Sequence, residues 1–170
     1  MVCNLTVGKR RYRDVESSLQ DVLAQSEMHR SRLMQLLEDD TEVYNRVMSA
    51  YRMPTGTDAE YAARDQAWQA ALLDAAAVPM AIARECLGVL ILAETAGQLG
   101  NPWAVSDAGA AALLAKGAAR AAGLSVEVNL RSMQDEAVVS CYRDDLASLE
   151  QEAHSICQRA LAAVQARMGA

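Results

Sequence analysis

The chain has 170 residues, of which 52% are apolar and 22% charged, and its 16 Lys and Arg face 22 Asp and Glu for a net charge of −6. That balance excludes a disordered tail and argues against wrapping nucleic acid or lying on an anionic membrane; the length suits one folded domain that needs no metal or disulfide staple. Phe is absent and Ala, Leu, Met and Val fill the apolar quota, so helix formers dominate and an all-α fold is expected.

Val15, Leu19, Val22, Leu23, Ser26, His29, Leu33 and Leu36 recur at three- and four-residue steps, which predicts a long helix over about 14–38. Asp39 or Asp40 then reads as the cap of a shorter second helix carrying Val43, Val47 and Tyr51, ended by Pro54 and Gly56. Thr57 and Glu60 have capping-box spacing and open a third helix through Trp68 and Leu72, with a kink expected at Pro79. The most apolar stretch, 75–100, is interrupted by Arg84, Glu85 and Glu94, which favours a buried helix over a bilayer span.

A fourth helix follows Asn101-Pro102, with Ser106 as its expected N-cap and Asp107 in its first turn, where a negative charge suits the helix dipole. Gly109, Ala112, Gly117, Ala118, Ala121 and Ala122 let neighbouring backbones approach, so this helix is the expected centre of the bundle. Residues 124–130 alternate like a strand, but a lone strand would leave its backbone groups unpaired, and the fourth helix is extended through them. The last helix opens near Ser132 and Asp135 and carries Tyr142, Leu149, Ile156 and Ala163 at heptad spacing, with Leu146, Ala153 and Ala160 interleaved. The expectation is a single domain over 1–170, a bundle of about five long helices.

Cys3, Cys86, Cys141 and Cys157 lack CxxC or zinc-like spacing and read as reduced core residues of a cytoplasmic protein. His29 and His154 lie in neither HExxH nor ExxH, and phosphate-loop, dinucleotide and nucleophile-elbow motifs are missing. His29 falls on an apolar stripe and reads as packed or partner-bonded; a catalytic base there needs a carboxylate beside it.

Three segments stand out: Asn4-Leu5-Thr6-x-Gly8-Lys9-Arg10-Arg11-Tyr12, Asn101-Pro102-x-Ala104-Val105-Ser106-Asp107-Ala108-Gly109, and Val128-Asn129-Leu130-x-Ser132-x-x-Asp135-Glu136. With Val78-Pro79 and Ala81-x-Ala83 between them, their order and spacing resemble the cyclodeaminase/cyclohydrolase family, all-helical enzymes acting on the one-carbon unit of tetrahydrofolate. Members carry a further N-terminal helix led by a Pro-Gly-Gly-Gly-Ser segment, and this sequence opens where that helix would end, so a shortened start is expected.

The resemblance implies either a formiminotetrahydrofolate cyclodeaminase, in which N10 attacks the formimino carbon and ammonia leaves, or the related methenyltetrahydrofolate cyclohydrolase. Both pass cationic states, so a fixed carboxylate and proton donors are the expected equipment, with the folate as substrate and neither metal nor bound cofactor. Asp107 is the expected catalytic carboxylate, against its bland role as a first-turn helix residue, and Lys9 the expected proton-transfer group. Asn4, Arg10, Tyr12, Ser106, Asn129 and Asp135 are the expected substrate contacts, and the Lys9–Arg13 cluster suits the anionic glutamate tail.

Asp107 and Asn129 are 22 residues apart, about 33 Å on an unbroken helix. Either the helix breaks near Gly123, or the two line opposite ends of a long cleft, or a second subunit brings them together in a homodimer. The alternative to an enzyme is a non-catalytic helical adaptor, which an Ala-rich bundle with few titratable groups would also serve.

Overall fold

A computed structural model describes residues 1–169. Four long helices account for most of the chain: α1 (Glu16–Tyr51), α2 (Asp58–Leu99), α3 (Val105–Leu130) and α4 (Glu136–Met168). Two 3₁₀ turns, Cys3–Leu5 and Arg10–Val15, precede α1, and a third, Pro102–Ala104, leads into α3.

The all-α expectation holds with four long helices and not five, because the first two expected helices are one. Asp39 does not cap; its carboxylate accepts from Gln35 Nε2 at 3.0 Å, one turn back on the same helix. Leu36, Val43 and Ala50 continue the buried face past it. The end of α1 is pinned by Tyr51 against Trp68, with ring centroids 5.6 Å apart, and by Arg64 Nε donating to the Tyr51 carbonyl at 3.2 Å. The predicted capping box then starts α2: Thr57 Oγ1 accepts from the Glu60 N–H, and Glu60 accepts from the Thr57 N–H. Residues 124–130 are helical, and α3 is unbroken at Gly123.

The central helix is α2, not α3. It packs against α1, α3 and α4, while α3 also packs on α4 and α1 has only marginal contact with α3. By length and composition α2 is apolar enough to cross a membrane, despite Arg84, Glu85 and Glu94 in its most apolar stretch; its packing among the other helices accounts for that hydropathy. The close-packed face of α3 is Ala108, Gly109, Ala112, Ala115, Ala119, Ala122 and Gly123. Gly117, Ala118 and Ala121 point to solvent, so part of the small-residue stripe serves no close approach. Likewise Cys141 is exposed on α4, whereas Cys3, Cys86 and Cys157 are buried as expected.

Pro79 lies inside α2, which continues through it. Having no N–H, Pro79 cannot bond the carbonyl of Ala75. That carbonyl accepts instead from Asn129 Nδ2 of α3 at 2.7 Å, while the same amide bonds Ser125 O at 3.0 Å. Two motifs noted separately in the sequence therefore meet: the donor that proline removes from one helix is replaced by an amide from its neighbour. Replacing Asn129 by Ala should destabilise the fold by about 1–2 kcal/mol in urea denaturation. The cost should shrink when Pro79→Ala restores the backbone donor, and equal costs in both backgrounds would show that the two positions are not coupled.

On the other side of the bundle, His29 Nδ1 lies 2.6 Å from Glu85 Oε2, joining α1 to α2. The ring rests directly over Gly88, where a Cβ would overlap the imidazole. Gly88→Ala should cost about 1–3 kcal/mol by overpacking, with most of that recovered in the His29→Ala background when both are measured by thermal unfolding.

Candidate active site

With α1 and α3 held apart by α2, a groove runs between them and opens into two cavities. The first, of about 410 Å³, is walled by Val22, Leu23 and Leu33 of α1, Val89, Leu92 and Ala96 of α2, and Ala108 and Ala111 of α3, with Val2 and Cys3 closing one end. Its polar lining is Asn4, Ser26, Glu27, Arg30 and Asp107. The second, of about 360 Å³, lies at the far end of α3 and is lined by Asp40, Tyr44, Ala75, Ser125 and Asn129.

Asp107 and Asn4 reach the same cavity because the first two sequence motifs are tied together at Asn101. The Asn101 N–H donates to Thr6 Oγ1 at 3.0 Å, and Thr6, fully buried, donates in turn to the Val2 carbonyl at 2.7 Å. The Asn101 side-chain oxygen accepts from the Trp103 N–H at 3.2 Å and from Tyr12 Oη at 3.3 Å, and its amide donates to Leu5 O at 3.4 Å. One residue thus satisfies the entry to α3 and holds the N-terminal segment against it. Asn101 caps the 3₁₀ turn that leads into α3, whose own N-cap position is Ala104, and Ser106, expected as the N-cap, is an exposed residue inside the helix.

Asp107 sits in the first turn of α3, where the free backbone N–H groups favour a negative charge. Its Oδ2 is buried and has no hydrogen-bond partner among the described residues. A buried carboxylate oxygen left unpaired costs about 1–3 kcal/mol or more, so on a cavity wall it calls for a donor from solvent or from a ligand.

The other expected site residues are dispersed. Lys9 and Arg10 are exposed and outside the lining of the Asp107 cavity. Tyr12 and Arg11 line a separate cavity of about 400 Å³ with Gln98 and Arg167. Asn129 occupies the far cavity and is engaged with the Ala75 carbonyl. Asp135 is the N-cap of α4, its Oδ1 accepting from the N–H groups of Ala137 and Val138 at 3.0 and 3.1 Å. The sequence reading passed over Glu27 and Arg30, which carried no motif; only their position one turn from Leu23 and Ser26 on the apolar stripe pointed to them. It also missed Glu85 as the partner of His29, since nothing local links residues 56 apart.

Burial pushes the Cys3 thiol above its ordinary range, outweighing the opposing pull of the N-terminal ammonium. Because the thiolate is the nucleophile, iodoacetamide at neutral pH should label exposed Cys141 well before Cys3. Labelling of Cys3 should grow only as pH passes the ordinary thiol value of about 8.5, and a ligand filling the cavity should suppress it; rapid labelling of Cys3 at pH 7 would contradict this geometry.

The profile of the formiminotransferase-cyclodeaminase family matches residues 1–148. The chain belongs to this family. It is 40% identical over 168 residues to the methenyltetrahydrofolate cyclohydrolase of Methylorubrum extorquens, an alignment covering 99% of this chain and 81% of that protein. It is 26% identical to the formimidoyltransferase-cyclodeaminase of Rattus norvegicus over 98% of its own length and 31% of the longer protein. The crystal structure of formiminotetrahydrofolate cyclodeaminase from Thermotoga maritima superposes with a TM-score of 0.85 at 28% identity, over 98% of this chain and 79% of that one.

Proposed function

We propose that this protein is a folate one-carbon enzyme that makes or opens the 5,10-methenyl bridge of tetrahydrofolate, with the Asp107 cavity as its active site. The observation that carries the reading is the buried, unpartnered Oδ2 of Asp107 on an otherwise mostly apolar cavity. In the cyclodeaminase direction N10 attacks the formimino carbon, the carbon–nitrogen bond to the imino group breaks, and the nitrogen departs as ammonia after taking up protons. In the cyclohydrolase direction water adds to the methenyl carbon and one ring C–N bond opens. The carbon keeps its oxidation level in both, so no electron carrier is called for.

The methenyl bridge is cationic as product of the first route and as substrate of the second. A fixed carboxylate in a low-dielectric cavity therefore stabilises the developing charge in the first and takes a proton from the attacking water in the second. Asp107 supplies that oxygen, and proton traffic runs through it and through water at the mouth. Asn4, exposed on the cavity edge, offers an amide to the pteridine. The cyclohydrolase reading is favoured over the deaminase by the closer similarity to the Methylorubrum protein, 40% against 26% for the rat enzyme.

Exposed apolar side chains line the far part of the same groove, Tyr44 on α1 and Leu124 and Val128 on α3. They support a homodimer that covers part of it, and the free cysteines suit a cytoplasmic protein.

Absorbance assays of methenyltetrahydrofolate hydrolysis and of its formation from the formimino compound test the reading directly. Asp107→Asn keeps the shape and removes the charge, and should lower kcat by about 10²-fold or more. A wild-type protein with no turnover and no folate binding would leave the adaptor reading in its place.

A further inference from the structure

Among the described residues lining the Asp107 cavity, Arg30 is the only cationic side chain, the other positive charge being the N-terminal ammonium of Met1 at the Cys3 end. It projects from α1 at the solvent side, with its side chain 65% exposed, whereas the Asp107 oxygen is buried within. The Arg30 Nε donates to Glu27 Oε2 at 2.7 Å, an i,i+3 contact that orients the guanidinium. No hydrogen bond engages Nη1 or Nη2 among the described residues, so the outer edge of the guanidinium, with its two parallel N–H groups, remains open. That edge matches the two oxygens of a carboxylate in bidentate geometry.

Resting on the folate reading of this cavity, we propose that Arg30 receives the terminal carboxylate tail of the substrate and so determines specificity for tailed over tail-less pteridines. The cavity is polar in a directed way: a buried acceptor that completes itself on a cationic centre, and an exposed donor fork at the exit. A folate has the same polarity, with its reactive bridge towards one end and carboxylates at the other. Its tail varies in length, so the cation that holds it has to stand where the chain leaves for solvent. The Lys9–Arg13 cluster does not serve this cavity. Lys9 and Arg10 lie outside its lining, and Arg11 faces the separate Tyr12 cavity with its guanidinium carbon 5.8 Å from the Tyr12 ring centroid.

Glu27 is a positioning residue in this arrangement, acting through Arg30. The test compares wild-type protein with Arg30→Gln, Arg30→Lys and Arg10→Gln, using methenyltetrahydrofolate and a methenyl pteridine truncated at the benzoyl ring. Arg30→Gln should raise KM for the full substrate about tenfold with kcat held within about twofold, and leave KM for the truncated compound unchanged. Arg30→Lys should recover part of the loss, since a point charge replaces the fork.

Fluorescence titration with tetrahydrofolate reads the same contact without turnover. If the protein binds but does not turn over, an Arg30-dependent Kd supports the tail contact while the enzymatic reading falls. A KM and Kd unmoved by Arg30→Gln but raised by Arg10→Gln would move the tail to the N-terminal cluster and overturn the proposal; equal losses with both compounds would overturn it as well.

Discussion

The joint at Asn101 is the constraint on which the site depends. Five hydrogen bonds converge there: its backbone N–H donates to Thr6, its carbonyl accepts from Ala104, its side-chain oxygen accepts from Trp103 and Tyr12, and its amide donates to Leu5. Each satisfies a group that a helix entry or an irregular segment would otherwise leave unpaired. Their joint effect is positional. The N-terminal turn cannot move without moving the start of α3, and so the wall carrying Asn4 and the wall carrying Asp107 keep their separation. A catalytic carboxylate has to stay within about half an ångström of its working geometry, and a flexible leader attached only at α1 would not provide that.

The same economy appears at Pro79. A proline inside a helix of 42 residues removes a backbone donor, and the bundle answers with Asn129 from α3. This contact is made near the far end of the α1–α3 groove, while Asn101 works at the near end, so α3 is fastened to its surroundings by an asparagine at each end. The intervening length needs no polar fastening: it is a seam of alanine and glycine, with Gly109 against Val164 and Gly123 against Leu146. Dispersion between close backbones then holds α3 to α4, and the exposed ion pairs across those helices add little.

The helical class, the capping box at Thr57 and the core of α4 were legible because periodicity and capping are local properties. The merging of the first two helices was not, since Asp39 looks like a cap unless one knows that Gln35 occupies it. The choice of central helix went wrong for a related reason: small residues mark where backbones can approach, but burial on three sides is a property of topology, and α2 has it. For the site, the motifs identified Asn4 and Asp107, which share a cavity, yet also Asp135 and Asn129, which the structure places at a helix cap and at a repaired helix bond. A motif groups residues that recur together; it does not separate those that touch a ligand from those that hold the backbone that does. Glu27 and Arg30 had the opposite problem, being ordinary charged residues on a helix face until the cavity beside them is known.

Charge decides how such a site can work in a chain of this composition. A net charge of −6 repels an anionic folate at long range. Salt screens that repulsion beyond about 8 Å under physiological conditions, so approach is tolerated but not steered. Capture therefore has to come from short-range contacts: apolar burial in the groove, and a cation close enough for direct hydrogen bonding. Within the cavity the ordering reverses. Few polar atoms line the interior, so the field of Asp107 is weakly screened there, and under the proposed reading it acts on a cationic methenyl bridge. An acidic protein surface and a buried acidic group then have opposite consequences for the same substrate, opposing its anionic end outside and favouring its cationic centre within. Under the proposed function, that asymmetry favours a folate entering bridge first, with its carboxylates trailing towards solvent.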